Sequence, residues 1–119
     1  MDMSALRSRL QRDLGDTENT LEAIRERTTV GQQESGGEIS LSDQHPADAA
    51  TETESRELDL AQQRMLGSRV RRIQDALHRM DDGTYGRCVV CGSPIPEERL
   101  EAIPDTAYCL KDATAEERT

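Results

Sequence analysis

Three cysteines, all in one 25-residue stretch, constrain this chain more than anything else in it. The stretch reads CVVCGSPIPEERLEAIPDTAYCLKD, from Cys88 to Asp112. Cys88 and Cys91 stand two residues apart, seventeen residues follow, and Cys109 begins a mirrored pair whose second member is Asp112. C-x2-C, a spacer of about 15–20 residues and C-x2-C is the spacing of a four-ligand zinc site. Two residues between ligands let one tight turn present both sulfurs to a single metal, and Gly92 after Cys91 suits such a knuckle because glycine accepts positive φ. An aspartate oxygen is a harder ligand than a thiolate but binds zinc at similar range. Three readings of the stretch follow. Zinc is held by Cys88, Cys91, Cys109 and Asp112, or by the three cysteines and a water; the finger folds without metal; or Cys88 and Cys91 form a redox pair. The thioredoxin-like βαβ context of the last is absent.

A compact globule is excluded by what the chain lacks. It has no Phe, no Trp and only Tyr85 and Tyr108, and a third of its 119 residues are charged. Large apolar side chains supply most burial energy. An elongated helical shape needs only a narrow seam, and a metal can replace missing core in a small module.

Such seams are present. Met3, Leu6, Leu10, Leu14, Thr17, Leu21 and Ile24 recur at steps of three and four, which predicts a helix from residue 3 to about 29. Arg7, Arg9, Arg12, Asp13 and Asp16 lie between them as a solvated face. Gly31, Gly36-Gly37 and clustered Ser, Asp and Gln predict a loop over about 30–46. Pro46 fits the first position of a second helix, Asp48 its positive end, and Gly83 its stop after Asp82. Within it Leu66, Val70, Ile73, Leu77 and Met80 form a regular seam; Leu58, Ala61 and Met65 continue it only loosely. Glu97 to Ala102 predicts one or two helical turns, and the residues after Cys109 a short helix or a frayed tail. His78 is expected beside the seam, facing solvent.

The fold class is therefore mainly α: a long antiparallel helical hairpin (coiled coil) over 1–83, then a small zinc-finger-like module and short C-terminal helix over 84–119. A formal net charge of −9 argues against non-specific nucleic-acid binding and against an anionic membrane surface, and favours a protein partner. No apolar run reaches the 18 or so residues of a membrane span, and the N-terminus has no apolar signal-peptide core, so the cytoplasm is the expected compartment. No nucleophile–base pair, phosphate loop or open-site metal motif is visible, and an enzyme is not expected.

Asp82-Gly83-Thr84-Tyr85-Gly86-Arg87-Cys88, then Cys91-Gly92, Ile95, Arg99-Leu100, Ala102, Pro104 and Cys109 resemble the zinc-finger signature of the DksA/TraR family. The helical hairpin extends the likeness over nearly the whole chain. The resemblance implies a bacterial transcription regulator that binds RNA polymerase rather than DNA, as a monomer. Its hairpin would enter the secondary channel with the tip near the active centre and modulate initiation, in several members together with the alarmone ppGpp. Family members carry Asp-x-x-Asp-x-Ala at the tip. Here the stretch is His45-Pro46-Ala47-Asp48-Ala49-Ala50: Asp48 and Ala50 match, His45 replaces the first acid, and Asp43 is a substitute two residues earlier. Asp112 replaces the fourth cysteine. No ppGpp contact can be carried over. Two other functions fit the residues: a zinc- or redox-responsive protein whose finger state gates binding, and a plain coiled-coil interaction module with another partner.

Overall fold

The computed structural model describes residues 2–37 and 46–117, with side chains described for 2–28, 52–113. Four helices follow one another: α1 (Met3–Gly37), α2 (Pro46–Asp82), α3 (Glu97–Ala102) and α4 (Leu110–Glu117). Among the described residues the only β feature is an isolated antiparallel bridge between Arg87 and Pro94. No described helix is long and apolar enough to cross a membrane.

Helix α2 begins at Pro46 and ends at Asp82, the two limits its sequence predicts. Gly83 then takes φ 78°, the left-handed conformation that closes a helix at low steric cost. Helix α1 starts where expected but runs on to Gly37, past the predicted end near residue 29. Gly31 costs a helix interior about 1 kcal/mol relative to Ala, and the strong helix formers Gln32, Gln33 and Glu34 follow it at once. One glycine is therefore no stop signal. Asp43 and His45 lie outside the described residues. Asp48 and Ala50 fall in the first turns of α2, and their side chains lie outside the description.

The chain packs as two compact units. One comprises residues 1–15 and 70–119, the other residues 16–69. In the first, Leu6 and Leu10 of α1 meet Ile73, Ala76 and Met80 of α2, and the same cluster takes in Tyr85, Cys88, Ile95 and Leu100. Leu10, Ile73 and Leu100 are its largest fully buried side chains. Two helical stripes thus share one core with the cysteine module. Arg7 pairs with Asp81 at 2.9 Å, consistent with antiparallel helices in this unit. The second unit repeats the antiparallel arrangement. Thr17, Leu21 and Ile24 are buried, Arg27 grips Asp59 at 2.6 Å, and Gln63 donates to the Thr28 hydroxyl at 3.1 Å. The loose stretch of the α2 seam stays open: Leu58 and Met65 are 61% and 64% exposed.

Two substitutions separate seam from surface. Ile73→Ala should cost about 2–4 kcal/mol, the range for emptying a filled aliphatic site. Met65→Ala should stay within about 0.5 kcal/mol, as usual at the surface. Gly67 lies inside α2 and a Cβ added there meets nothing within 4 Å, so Gly67→Ala should stabilise by about 0.5–1 kcal/mol. Urea midpoints of the three variants check all three signs.

Candidate metal centre

The first pair of donors comes from a tight turn. The Gly92 N–H donates to the Cys88 carbonyl and the Cys88 N–H to the Ser93 carbonyl, both at 2.9 Å. Gly92 takes φ 75°, so the knuckle needs the residue that the sequence puts there. The turn leaves Cys88 buried and Cys91 exposed. Cys109 precedes α4 and Asp112 stands in its first turn. The Ala113 N–H donates to the Cys109 carbonyl at 2.9 Å, which holds the second pair in helical register, side chains three residues apart on one face.

Between the two pairs runs the insert, residues 92–108, and it is anchored at several points. The Tyr85 hydroxyl donates to the Pro104 carbonyl at 2.8 Å. Arg99 donates to the Tyr108 carbonyl at 3.1 Å. The Val89 N–H reaches the Ala107 carbonyl at 2.9 Å, which draws the returning chain alongside the knuckle. From the helices, Arg9 donates to the Glu101 carbonyl and Arg72 pairs with Asp105 at 3.3 Å. Arg9 reads in the sequence as solvated face, and nothing there singles out Arg72. Nothing in their spacing distinguishes an arginine opposite the insert from one opposite water.

The result is that Cys88, Cys91, Cys109 and Asp112 converge, with one ligand atom from each within 4.8 Å of all the others. Cys91 and Cys109 Sγ lie 3.8 Å apart. A tetrahedron with Zn–S bonds of roughly 2.3 Å has an edge of about 3.8 Å, so this edge already has the length that a zinc ion requires. The carboxylate edges are shorter. Asp112 Oδ2 accepts from the Cys88 thiol at 2.9 Å and from the Cys109 thiol at 3.1 Å, as fits protons shared between thiol and carboxylate. Donor identity and spacing fit a closed zinc site, with those protons leaving when a cation takes their place. His78 is no part of the cluster: it is exposed and sits 3.4 Å from Asp82, one turn on.

The donors perturb one another. Hydrogen bonds from Cys88, then Cys109 and Cys91, hold the Asp112 carboxyl below its ordinary value against a weaker opposing effect of burial. For Cys88, burial and the Asp112 carboxylate push the thiol up. Backbone N–H groups of Cys109, Cys91 and Val90 outweigh them together and bring it below its ordinary value. At Cys109 the backbone of Asp112 pulls down, but the Asp112 carboxylate, burial and the two other thiols prevail and push it up to about 11.

A helical hairpin whose base shares its core with a finger of four potential donors defines a helical finger protein, and comparison with known proteins gives its family. Residues 83–118 match the family model described as prokaryotic dksA/traR C4-type zinc finger. The RNA polymerase-binding transcription factor DksA of Caulobacter vibrioides is 32% identical over 108 residues, covering 91% of this chain and 72% of that protein. The chain belongs to the DksA/TraR family. The uncharacterized protein YteA of Bacillus subtilis is 40% identical over 89 residues, 71% of this chain and 37% of that one. Against YteA and two further relatives, the matched region spans less than half of the relative's length. The structure of transcription factor DksA2 from Pseudomonas aeruginosa superposes with a TM-score of 0.74, covering 97% of this chain and 82% of that one, at 23% identity. That likeness concerns the fold.

The Tyr85 hydroxyl offers a test of the insert's anchoring. Burial raises its pKa above the usual 10, the nearby Arg79 opposing. A raised folded-state value means that its contribution is complete below about pH 10 and is lost as pH rises through the folded value. Tyr85→Phe should cost about 1–2 kcal/mol at neutral pH, because the Pro104 carbonyl loses its donor. The gap between variant and parent should narrow above pH 10. Denaturant unfolding of both proteins at pH 7 and at alkaline pH measures it.

Proposed function

We propose that this protein is a transcription regulator that binds RNA polymerase and acts through the segment joining α1 to α2. The observation that carries the reading is the alignment over 91% of the chain with a relative named as an RNA polymerase-binding transcription factor. The helical hairpin and finger supply the matching architecture. In this reading the hairpin enters the secondary channel of the polymerase, and Asp48, with Ala50 two residues on, lies near the active centre. His45 stands where family members carry the first tip acid, with Asp43 two residues earlier as its substitute. A carboxylate brought close to bound metal ions and phosphates alters the local field strongly, since such sites are dominated by the charge of the ions themselves. The role is regulatory rather than enzymatic, it belongs to the cytoplasm, and one copy acts on one polymerase. Direct sequence-specific DNA binding is no part of it, in keeping with a net charge of −9. No residue is assigned to ppGpp.

The finger, in the same reading, holds one zinc ion through Cys88, Cys91, Cys109 and Asp112. When bound, zinc cross-links the knuckle to the start of α4 and adds folding free energy to a module with little apolar core. The chain supplies the orientation: the Gly92 turn presents two sulfurs, and the first turn of α4 presents a sulfur and an oxygen. Three thiolates and a carboxylate form a softer-to-harder mixed set, so Asp112→Cys should retain zinc at least as well as the parent and Asp112→Ala at least about tenfold less well. Metal content after graded chelator treatment, read by mass spectrometry, checks this without reference to transcription. Protein that carries no zinc after purification in zinc-containing, chelator-free buffer would contradict the metal assignment.

For the regulatory role, the parent protein should bind core polymerase and change initiation in vitro. Asp48→Asn should bind equally but lose most of the effect. Absence of polymerase binding at about 10 micromolar, where a specific complex of ordinary affinity is already populated, would remove the partner. An Asp48→Asn protein as active as the parent would remove the tip mechanism alone.

A further inference from the structure

The packing of α2 leaves one face unused within residues 16–69. Glu54, Leu58, Ala61, Met65 and Arg69 follow at steps of four, three, four and four, which puts them on one stripe of the helix. All five are exposed, Leu58 and Met65 by more than half. The stripe is not the seam that meets α1 in this unit. That seam uses Asp59, Gln63 and Leu66, of which Asp59 grips Arg27 and Gln63 binds Thr28. A shallow recess of about 550 Å³ opens beside Met65, walled by Thr20, Ala23, Ile24, Arg27, Gln62 and Leu66.

The order of residues along the stripe is its telling property. Glu54 and Arg69, Leu58 and Met65, and Ala61 and Gln62 all centre on one point, between Ala61 and Gln62. Turned end over end, the stripe therefore meets a complementary copy of itself: acid on base, aliphatic on aliphatic, base on acid. A two-fold pairing requires such a self-complementary patch. Outside the stripe Glu52 and Glu57 lie before its centre and Arg64 and Arg71 after it, while Arg56 and Asp75 run against that sense.

We propose that two copies of this chain pair reversibly through the α2 stripe, antiparallel and two-fold symmetric. Leu58 of each copy packs against Met65 of the other, in the recess beside it. Glu54 of each copy faces Arg69 of the other. The stripe is about 22 Å long at 1.5 Å per residue. One helix face of that length is small beside the roughly 800 Å² per partner of a standard stable interface. The dimer consequently forms and dissociates with concentration, and is a state of the free protein that goes beyond the one-copy action on polymerase proposed above.

Sedimentation analysis of the full-length chain across concentration tests it. The parent should show a monomer–dimer equilibrium with a Kd in the micromolar range. Glu54→Arg alone and Arg69→Glu alone each place like charges opposite one another at both ends, and each should weaken pairing about five- to tenfold. The double swap, Glu54→Arg with Arg69→Glu, should return Kd to within about twofold of the parent, because only the antiparallel register brings these positions together. Leu58→Glu should abolish pairing while helicity by circular dichroism stays unchanged. A parent that remains monomeric to about 500 micromolar, a concentration at which even weak specific pairs populate, overturns the proposal. So does a dimer indifferent to the single swaps or not rescued by the double one. A monomeric parent whose polymerase binding is lost in Leu58→Glu gives the face to another protein and equally overturns self-pairing.

Discussion

The structure depends on one shared core. At the base of the helices the buried residues of α1 and α2 are few, and so are those of the cysteine module. The solution is a cluster drawn from both. Leu6, Leu10, Ile73, Ala76 and Met80 come from the helices, and Tyr85, Cys88, Ile95 and Leu100 from the module. Cys88 is at once a member of this core and a member of the donor set. Its burial couples the two: seating Leu100 and Ile95 against the helices fixes the knuckle, and fixing the knuckle aims the sulfurs. In a chain without Phe or Trp, packing and ligation cannot be assigned to separate layers.

The donor set shows how a carboxylate enters a thiolate site. Asp112 is short, so its oxygen reaches inward from the first turn of α4 and lies within hydrogen-bond distance of two thiols. The helix beginning at Leu110 favours negative charge at that end, and the thiols favour it further by donating to it. The same arrangement opposes a negative sulfur at Cys109, whose thiol is held at about 11. A cation held by these four residues would replace those protons as the common counter-charge, which is the physical content of a metal-built finger.

On α2 two faces of one helix carry different work. The regular seam from Leu66 to Met80 is buried or half-buried, and its buried members Ile73 and Met80 join the shared core. The looser stretch before it spends its polar residues on α1, through Asp59 and Gln63, and turns its apolar ones outward. An irregular seam is thus a rotated surface rather than a weakened one. Its reversed charge order, acid early and base late, suits the helix dipole and also makes the face complementary to itself.

How much of this was legible depended on how local the information is. The seam periods, the start of α2 at Pro46, its stop at Gly83, the turn at Gly92 and the two-residue spacing within the Cys88–Cys91 and Cys109–Asp112 pairs were all readable, because each follows from neighbours within a turn or two. The end of α1 was not: glycine lowers helix stability only modestly, and the propensities of the residues after it decided the matter. Ala76 was passed over in the seam although it is fully buried, since a small side chain gives no periodic signal of its own. The anchoring of the insert by Arg9, Arg72 and Tyr85 was equally invisible, as it joins residues far apart in the chain.

By itself, then, the sequence determined a helical hairpin, a four-donor spacing and the family to which both belong, because hydrophobic period, turn chemistry and ligand spacing are short-range properties. Only the tertiary structure decided that the finger and the base of the helices share one core, that Arg9 and Arg72 hold the insert, and that the stripe from Glu54 to Arg69 faces outward. Those facts depend on which surfaces meet, and burial is settled by contacts between distant residues rather than by any residue's own character.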